Sequence, residues 1–335
     1  VVRTARFDDD LAALVGSHGF RIEAIFPADA PTTAVVSGHG VHLRLVAADE
    51  SNPVTLCLTG DDAAAAAASL PGGMVIEIGP LATGDELPDC VPSLTITHDD
   101  GGAAVPGRAG MRYRDLLPDR WGGRFIASHI TIPDGGPVPD YVHYHRVRFQ
   151  MIFVKAGWVR VVYEDQGDPF VMRAGDCVLQ PPQIRHRVLE SSPGLEVIEV
   201  GCPAVHATLA DWTLELPNGV GDPAREWDGS RFVRHVAEGA VYTPWRVSGW
   251  ECRDTGIAAA TGGLAGVRVA RPAGAASAAI ELDTEFALLV VLRGEVSFDG
   301  ERLGDGSSVA IPAGHAHRLT DPSADCELLE VTLQS

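Results

Sequence analysis

The chain is nearly devoid of lysine: Lys155 is the single lysine among 26 basic residues. Schiff-base chemistry and a phosphate-gripping lysine therefore have one candidate, and it lies inside an apolar stretch. No uncharged apolar run approaches about 18 residues, which excludes a membrane-spanning helix. The opening residues VVRTARFDDD carry neither the basic nor the apolar segment of a secretory signal. Cysteine pairs of the CxxC type are missing too. Cys57, Cys90, Cys177, Cys202, Cys252 and Cys326 stand apart, mostly in apolar stretches such as VTLCLTG and GDCVLQ. They read as reduced core thiols of a cytoplasmic protein. Positive charge is scarce: 26 Lys and Arg against 45 Asp and Glu leave a net −19. A polyanion would be repelled, so nucleic acid and anionic membrane are excluded as partners, and a small-molecule substrate is expected.

What the chain has is glycine and proline, 37 and 23 of them spread over 335 residues. This favours many short strands joined by tight turns, and the length calls for more than one core. Two joints rich in Gly, Pro and Asp, residues 98–107 and 216–224, divide it into segments 1–98, 108–215 and 225–335. The first alternates strand and helix patterns: VVRTARF, a helix opened by Asp8 to Asp10, then RIEAIFP, TTAVVSG and VHLRLVA, with a second helix expected at DDAAAAAASL. The other two are strand-rich throughout, with GRFIASHITI, QMIFVKAGWVRVVYE and PFVMRAGDCVLQ in one and LAGVRVARPA and FALLVVLRGEVSFDG in the other. Evenly spaced strands of this length suggest antiparallel barrels.

Chemistry concentrates in the second segment. In the extended stretch PDYVHYHRVRFQMIF, His143 and His145 share one face while Tyr144 points to the other. Tyr144 then packs between sheets or against the second subunit of a homodimer. Gln150 follows, and beyond a strand and a proline turn comes His186. Two imidazoles on one face and a distant third are the minimum for a first-row metal site.

Gly136, His143, His145, Gln150 and Gly157 resemble the first motif of the cupin family, and Gly175, Pro181 and His186 resemble the second. Gln150 stands where most cupins carry Glu, and Gln183 where they carry Gly. The third segment repeats the second motif with Gly306, Pro312, Gly314 and His317. Counted back from Gly294, however, it has Ile280, Leu282 and Ala287 where the ligands would stand. The resemblance thus implies a mainly β bicupin of two double-stranded β-helix barrels, behind a smaller α+β domain. One barrel holds metal; the other is metal-free, with an interior expected to be apolar. The first segment resembles a module of the vicinal-oxygen-chelate (glyoxalase-like) superfamily without that superfamily's metal ligands.

His143, His145, Gln150 and His186 are the implied ligands of one divalent ion, iron first, with nickel, zinc, manganese and copper as alternatives. Parity and position offer Arg124, His129, Ile152, Val154, Val188 and Glu190 as pocket candidates. His18, His39, His42, His98, His206, His235 and His315 receive no role. The resemblance implies a dioxygenase, since ring-cleaving enzymes of the gentisate type are bicupins with metal in one barrel. Its alternative is a non-redox isomerase, lyase or cyclase, because some such cupins use three histidines and a glutamine. A small-molecule sensor comes third.

Overall fold

The first segment shows why its residues take the forms they do. Val41–Ala47 alternates buried Val41, Leu43 and Leu45 with half-buried His42, Arg44 and Val46, the signature of a strand with one face on a core. Helix Phe7–Ser17 carries Asp8, Asp9 and Asp10 in its first turn, where carboxylates offset the helix dipole. It lays Phe7, Leu11 and Leu14 on the sheet. Val2–Thr4 runs parallel to Val41–Ala47, which pairs with Thr33–Gly38 and through it with Arg21–Phe26. The computed structural model describes residues 1–4, 6–17, 20–38, 41–49, 55–58, 75–77, 87–99, 104–222, 224–274 and 279–335. The second expected helix, at 61–70, lies outside the described residues.

The remaining chain forms two barrels. In the first, strands Phe170–Arg173, Trp158–Tyr163, His186–Ser191, His143–His145 and Thr208–Ala210 make one wall. The other is made of Cys177–Leu179, Phe149–Ala156, Leu195–Cys202, Ile126–Ile132 and Arg112–Asp115. In the second, Trp250–Asp254, Ala265–Pro272, Glu327–Leu333, Phe286–Arg293 and Ser308–Pro312 face a sheet of Glu301–Gly304, Glu295–Phe298 and Leu319–Thr320. The fold is thus mainly β, two barrels behind a smaller α+β domain.

The large walls pack back to back. Phe149, Met151 and Phe153 turn outward from the first barrel to meet Phe286, Leu288 and Val290 of the second, and Phe125 stacks on Phe286 with ring centroids 4.3 Å apart. Each wall is also sealed by a strand from outside its own barrel. Thr95–Thr97, which precedes the first barrel, pairs with Ser308–Pro312 of the second. Val233–His235, which precedes the second, pairs with Cys177–Leu179 of the first. The divisions at 98 and 225 therefore each leave one strand on the wrong side of the cut.

The first segment is joined to the first barrel by its sheet, because Thr208–Ala210 pairs with Arg21–Phe26. Tyr144 packs there against Ala24, Val35, Ala207 and Leu209, with the Arg185 guanidinium 4.0 Å over its ring. The neighbour it meets is the N-terminal sheet. The second barrel's interior also corrects an expectation. Trp250, Ile280, Leu289, Phe298 and Ile311 fill much of it, but Glu330 lies among them fully buried, ion-paired to Arg246 and, at 3.7 Å, to Arg268.

Candidate metal centre

The histidine strand is only His143–His145, and its neighbours decide the site. On one side His143 pairs directly with His186; on the other the strand pairs with Thr208–Ala210. That register brings the distant third histidine beside the first two. All three are buried, their ring centroids lie 4.3 to 5.2 Å apart, and one nitrogen from each falls within 4.8 Å of the others. Among the described residues this is the sole such cluster.

Each ring has its Nδ1 engaged by the protein. His143 Nδ1 donates to the Tyr141 carbonyl at 2.8 Å and His186 Nδ1 to that of Ile184 at 3.0 Å; His145 Nδ1 lies 3.0 Å from Thr208 Oγ1. A proton held on Nδ1 leaves the lone pair on Nε2, which is how imidazole is presented to a metal. Asp140, its side chain wholly buried, sets Oδ1 3.5 Å from His143 Nδ1 and accepts from the Val188 amide at 2.9 Å. The donor set therefore fits a divalent first-row ion: three imidazoles with orienting partners, and the amide of Gln150 on the wall of the same cavity.

The proline turn places the strands. Gln183 has φ 65°, matching φ 72° at Gly314 in the second barrel, and its amide donates to the His145 carbonyl at 3.0 Å. Glutamine here accepts a conformation that favours glycine. Next to the centre, Tyr163 stacks on His186 at 5.4 Å, and its hydroxyl accepts a bond from Gln180 Nε2 at 2.9 Å. Burial pushes the phenol well above its usual range, so it stays protonated.

His145, Gln150 and His186 open into a cavity of about 90 Å³. Its walls are mainly apolar, with Ile130, Ile132, Val161, Met172 and Leu195 among them, and Ile152 and Val188 line it as well. Val154 is fully buried in the same core without lining the cavity. Three candidates lie elsewhere. Arg124 turns to the barrel junction, 2.8 Å from Glu285. His129 points out of the lumen, between Arg114 and Glu196. Glu190 is held at the surface by Arg160 at 3.1 Å. Sequence reasoning also missed residues that line the cavity: Glu199, whose Oε1 accepts from Gln150 Nε2 at 2.5 Å, Tyr163, Gln180 and, from the N-terminal segment, Ala28.

The second barrel keeps the frame without the ligands. Ile280 bridges His317 as His143 pairs with His186, and Phe298 lies on His317 at 5.1 Å, much as Tyr163 lies on His186. Leu282 and Ala287 complete the apolar replacement.

Residues 128–200 match the family model described as a cupin domain. No curated protein matches. Among solved structures, a salicylate 1,2-dioxygenase variant from Pseudoaminobacter salicylatoxidans is similar with a TM-score of 0.54 at 16% identity, over 73% of this chain and 85% of that one. A putative glyoxylate-induced protein from Pseudomonas aeruginosa gives 0.53 at 13% identity, over 76% and 92%. A Bacillus subtilis oxalate decarboxylase variant gives 0.50 at 11%, over 79% and 87%.

Proposed function

We propose that this chain, a bicupin of the cupin superfamily with a three-histidine cluster in one barrel, is a dioxygenase acting on a small, metal-chelating organic molecule. One observation carries the reading: three buried imidazoles converge, and two of them, His145 and His186, line a cavity whose other walls are mainly apolar. His143, His145 and His186 through Nε2, and Gln150 through its amide oxygen, would hold one divalent ion, with iron the first choice. Bound there, iron supplies the redox step with O₂ and coordination positions for a bidentate substrate. The chain's own contribution is selection and orientation. Ile130, Ile152, Val161 and Val188 receive an apolar body and exclude water, and the Tyr163 hydroxyl, kept protonated by burial, offers a donor to a substrate oxygen. The small volume favours a single ring or a short chain.

A second reading, non-redox isomerase, lyase or cyclase chemistry, is favoured by Glu199, which puts a carboxylate in the cavity wall where a proton could be moved. Metal content after purification without added metal, followed by O₂ uptake on Fe(II) loading with hydroxybenzoates such as salicylate and gentisate, separates the two. Uptake that depends on both Fe(II) and the acid supports the dioxygenase. A metal-loaded protein that consumes no O₂ over a wide panel overturns it.

A further inference from the structure

We propose that Glu199 positions the amide of Gln150 and supplies the negative charge that the ligand set itself lacks, so that divalent-ion binding depends on a carboxylate outside the histidine cluster. This rests on the reading that the three histidines hold a divalent ion.

The argument begins with an amide. Gln150 is buried, and its Nε2 lies 2.5 Å from Glu199 Oε1. A carboxylate only accepts, so this contact fixes which end of the amide is NH₂ and turns the carbonyl oxygen away from Glu199. Both side chains line the histidine cavity. Glu199 is not among the groups that converge within 4.8 Å of one another, and its hydrogen bond with Gln150 ties it to the implied ligand set.

The second barrel supplies an independent observation. Ile152 pairs with Glu199 in the first barrel; at the matching step of the second, Leu289 pairs with Glu330. Both barrels thus carry a glutamate at the same lumen-facing position. On the neighbouring strand, Arg268 stands opposite Glu330, whereas Ser128 stands opposite Glu199. The arginine is present where the metal histidines are missing and replaced by a serine where they are present. Three neutral imidazoles and an amide bring no charge to a +2 ion, and a bare double charge in a mainly apolar cavity is costly. Glu199 offsets it without entering the ligand set.

The test is titration of the metal-free protein with Co(II), read by calorimetry and by the visible ligand-field spectrum. Glu199→Gln is expected to lose about 10–100-fold in Co(II) affinity, with a changed spectrum and an unchanged thermal midpoint of the metal-free form. The exchanged variant Gln150→Glu/Glu199→Gln, which returns the carboxylate one strand away, is expected to regain most of the loss. Ser128→Arg, which copies the second barrel's arrangement, is expected to lose affinity with Glu199 intact. Unaltered affinity and spectrum in Glu199→Gln and Ser128→Arg overturn this inference alone. Wild-type protein that takes up no Co(II) overturns the metal centre, and the inference with it.

Discussion

Arg114 and Arg253 occupy equivalent places in the two barrels, and each donates a hydrogen bond of 3.0 Å to a glycine carbonyl of the other barrel, Gly306 and Gly175 respectively. Those glycines open the second motif in each half. The equivalence follows from register: Arg114 pairs with His129 and Arg253 with Val269, residues one step beyond Ser128 and Arg268. Arg253 also reaches His235 at 2.7 Å, and Arg114 reaches His129 at 3.2 Å. The junction is a reciprocal clasp built around the start of each motif.

Breaking the clasp should cost stability in both halves at once. Arg253→Ala is expected to lower unfolding free energy by about 2 kcal/mol, the range for a hydrogen bond from a charged donor. Arg114→Ala should cost a similar amount. Denaturant unfolding followed by tryptophan fluorescence measures both, and an unmoved midpoint in either variant would show that the clasp is incidental.

The metal assignment has its own check. His143→Ala/His145→Ala should abolish binding of the divalent ion while circular dichroism stays that of the wild type, and His317→Ala should leave a stoichiometry of one ion per chain. Elemental analysis of dialysed protein distinguishes these outcomes. Full occupancy in the double variant, or a second equivalent lost with His317, contradicts the assignment.

Acid should loosen the junction through Glu196. Its carboxylate lies 2.9 Å from both His129 Nε2 and Lys155 Nζ. The His129 hydrogen bond first, and Lys155 with it, outweigh burial and bring its pKa to about 2, from an ordinary 4.5. The folded state therefore binds fewer protons than the unfolded state. The contribution is complete above pH 4.5 and lost as pH falls toward 2. Glu196→Gln lacks it, so its stability should fall less than that of the wild type across this interval in a pH series of thermal melts.

The proline turn offers a change in the stabilising direction. Gln183→Gly relieves a left-handed conformation that costs an L-residue roughly 1–2 kcal/mol, less the greater unfolded-state freedom of glycine. The expected result is a thermal midpoint equal to or above that of the wild type. A clear drop would mean that the Gln183 side chain is itself structural.

The residues whose chemistry is rare were legible in the sequence. His143, His145 and His186 announce themselves by type and spacing, and the apolar trio Ile280, Leu282 and Ala287 shows which barrel lacks ligands. Facing was harder. Ile126–Ile132 is buried on both sides because its outer face meets the other barrel, so alternation carries no signal and His129 could not be oriented. Glu190 should share a face with Val188 by the period of two. A bulge intervenes, since Arg160 and Val161 are adjacent while their partners Glu190 and Val188 are two apart. Glu199 is one acid among 45 Asp and Glu. Only its register with Ile152 places it beside Gln150.

The exchanged edge strands bear on why a barrel without metal ligands persists in the chain. Val233–His235 leaves the second half to seal the wall beside Cys177–Leu179, and Thr95–Thr97 makes the opposite journey. Excising the C-terminal half would expose an unpaired strand edge and the apolar back of the wall that carries Gln150 and Glu199. The second barrel thus covers an edge and an apolar face of the barrel that carries the histidine cluster. Its sequence is free to lose chemistry but not shape, so substitutions that empty its core should register as defects at a centre on the far side of the junction.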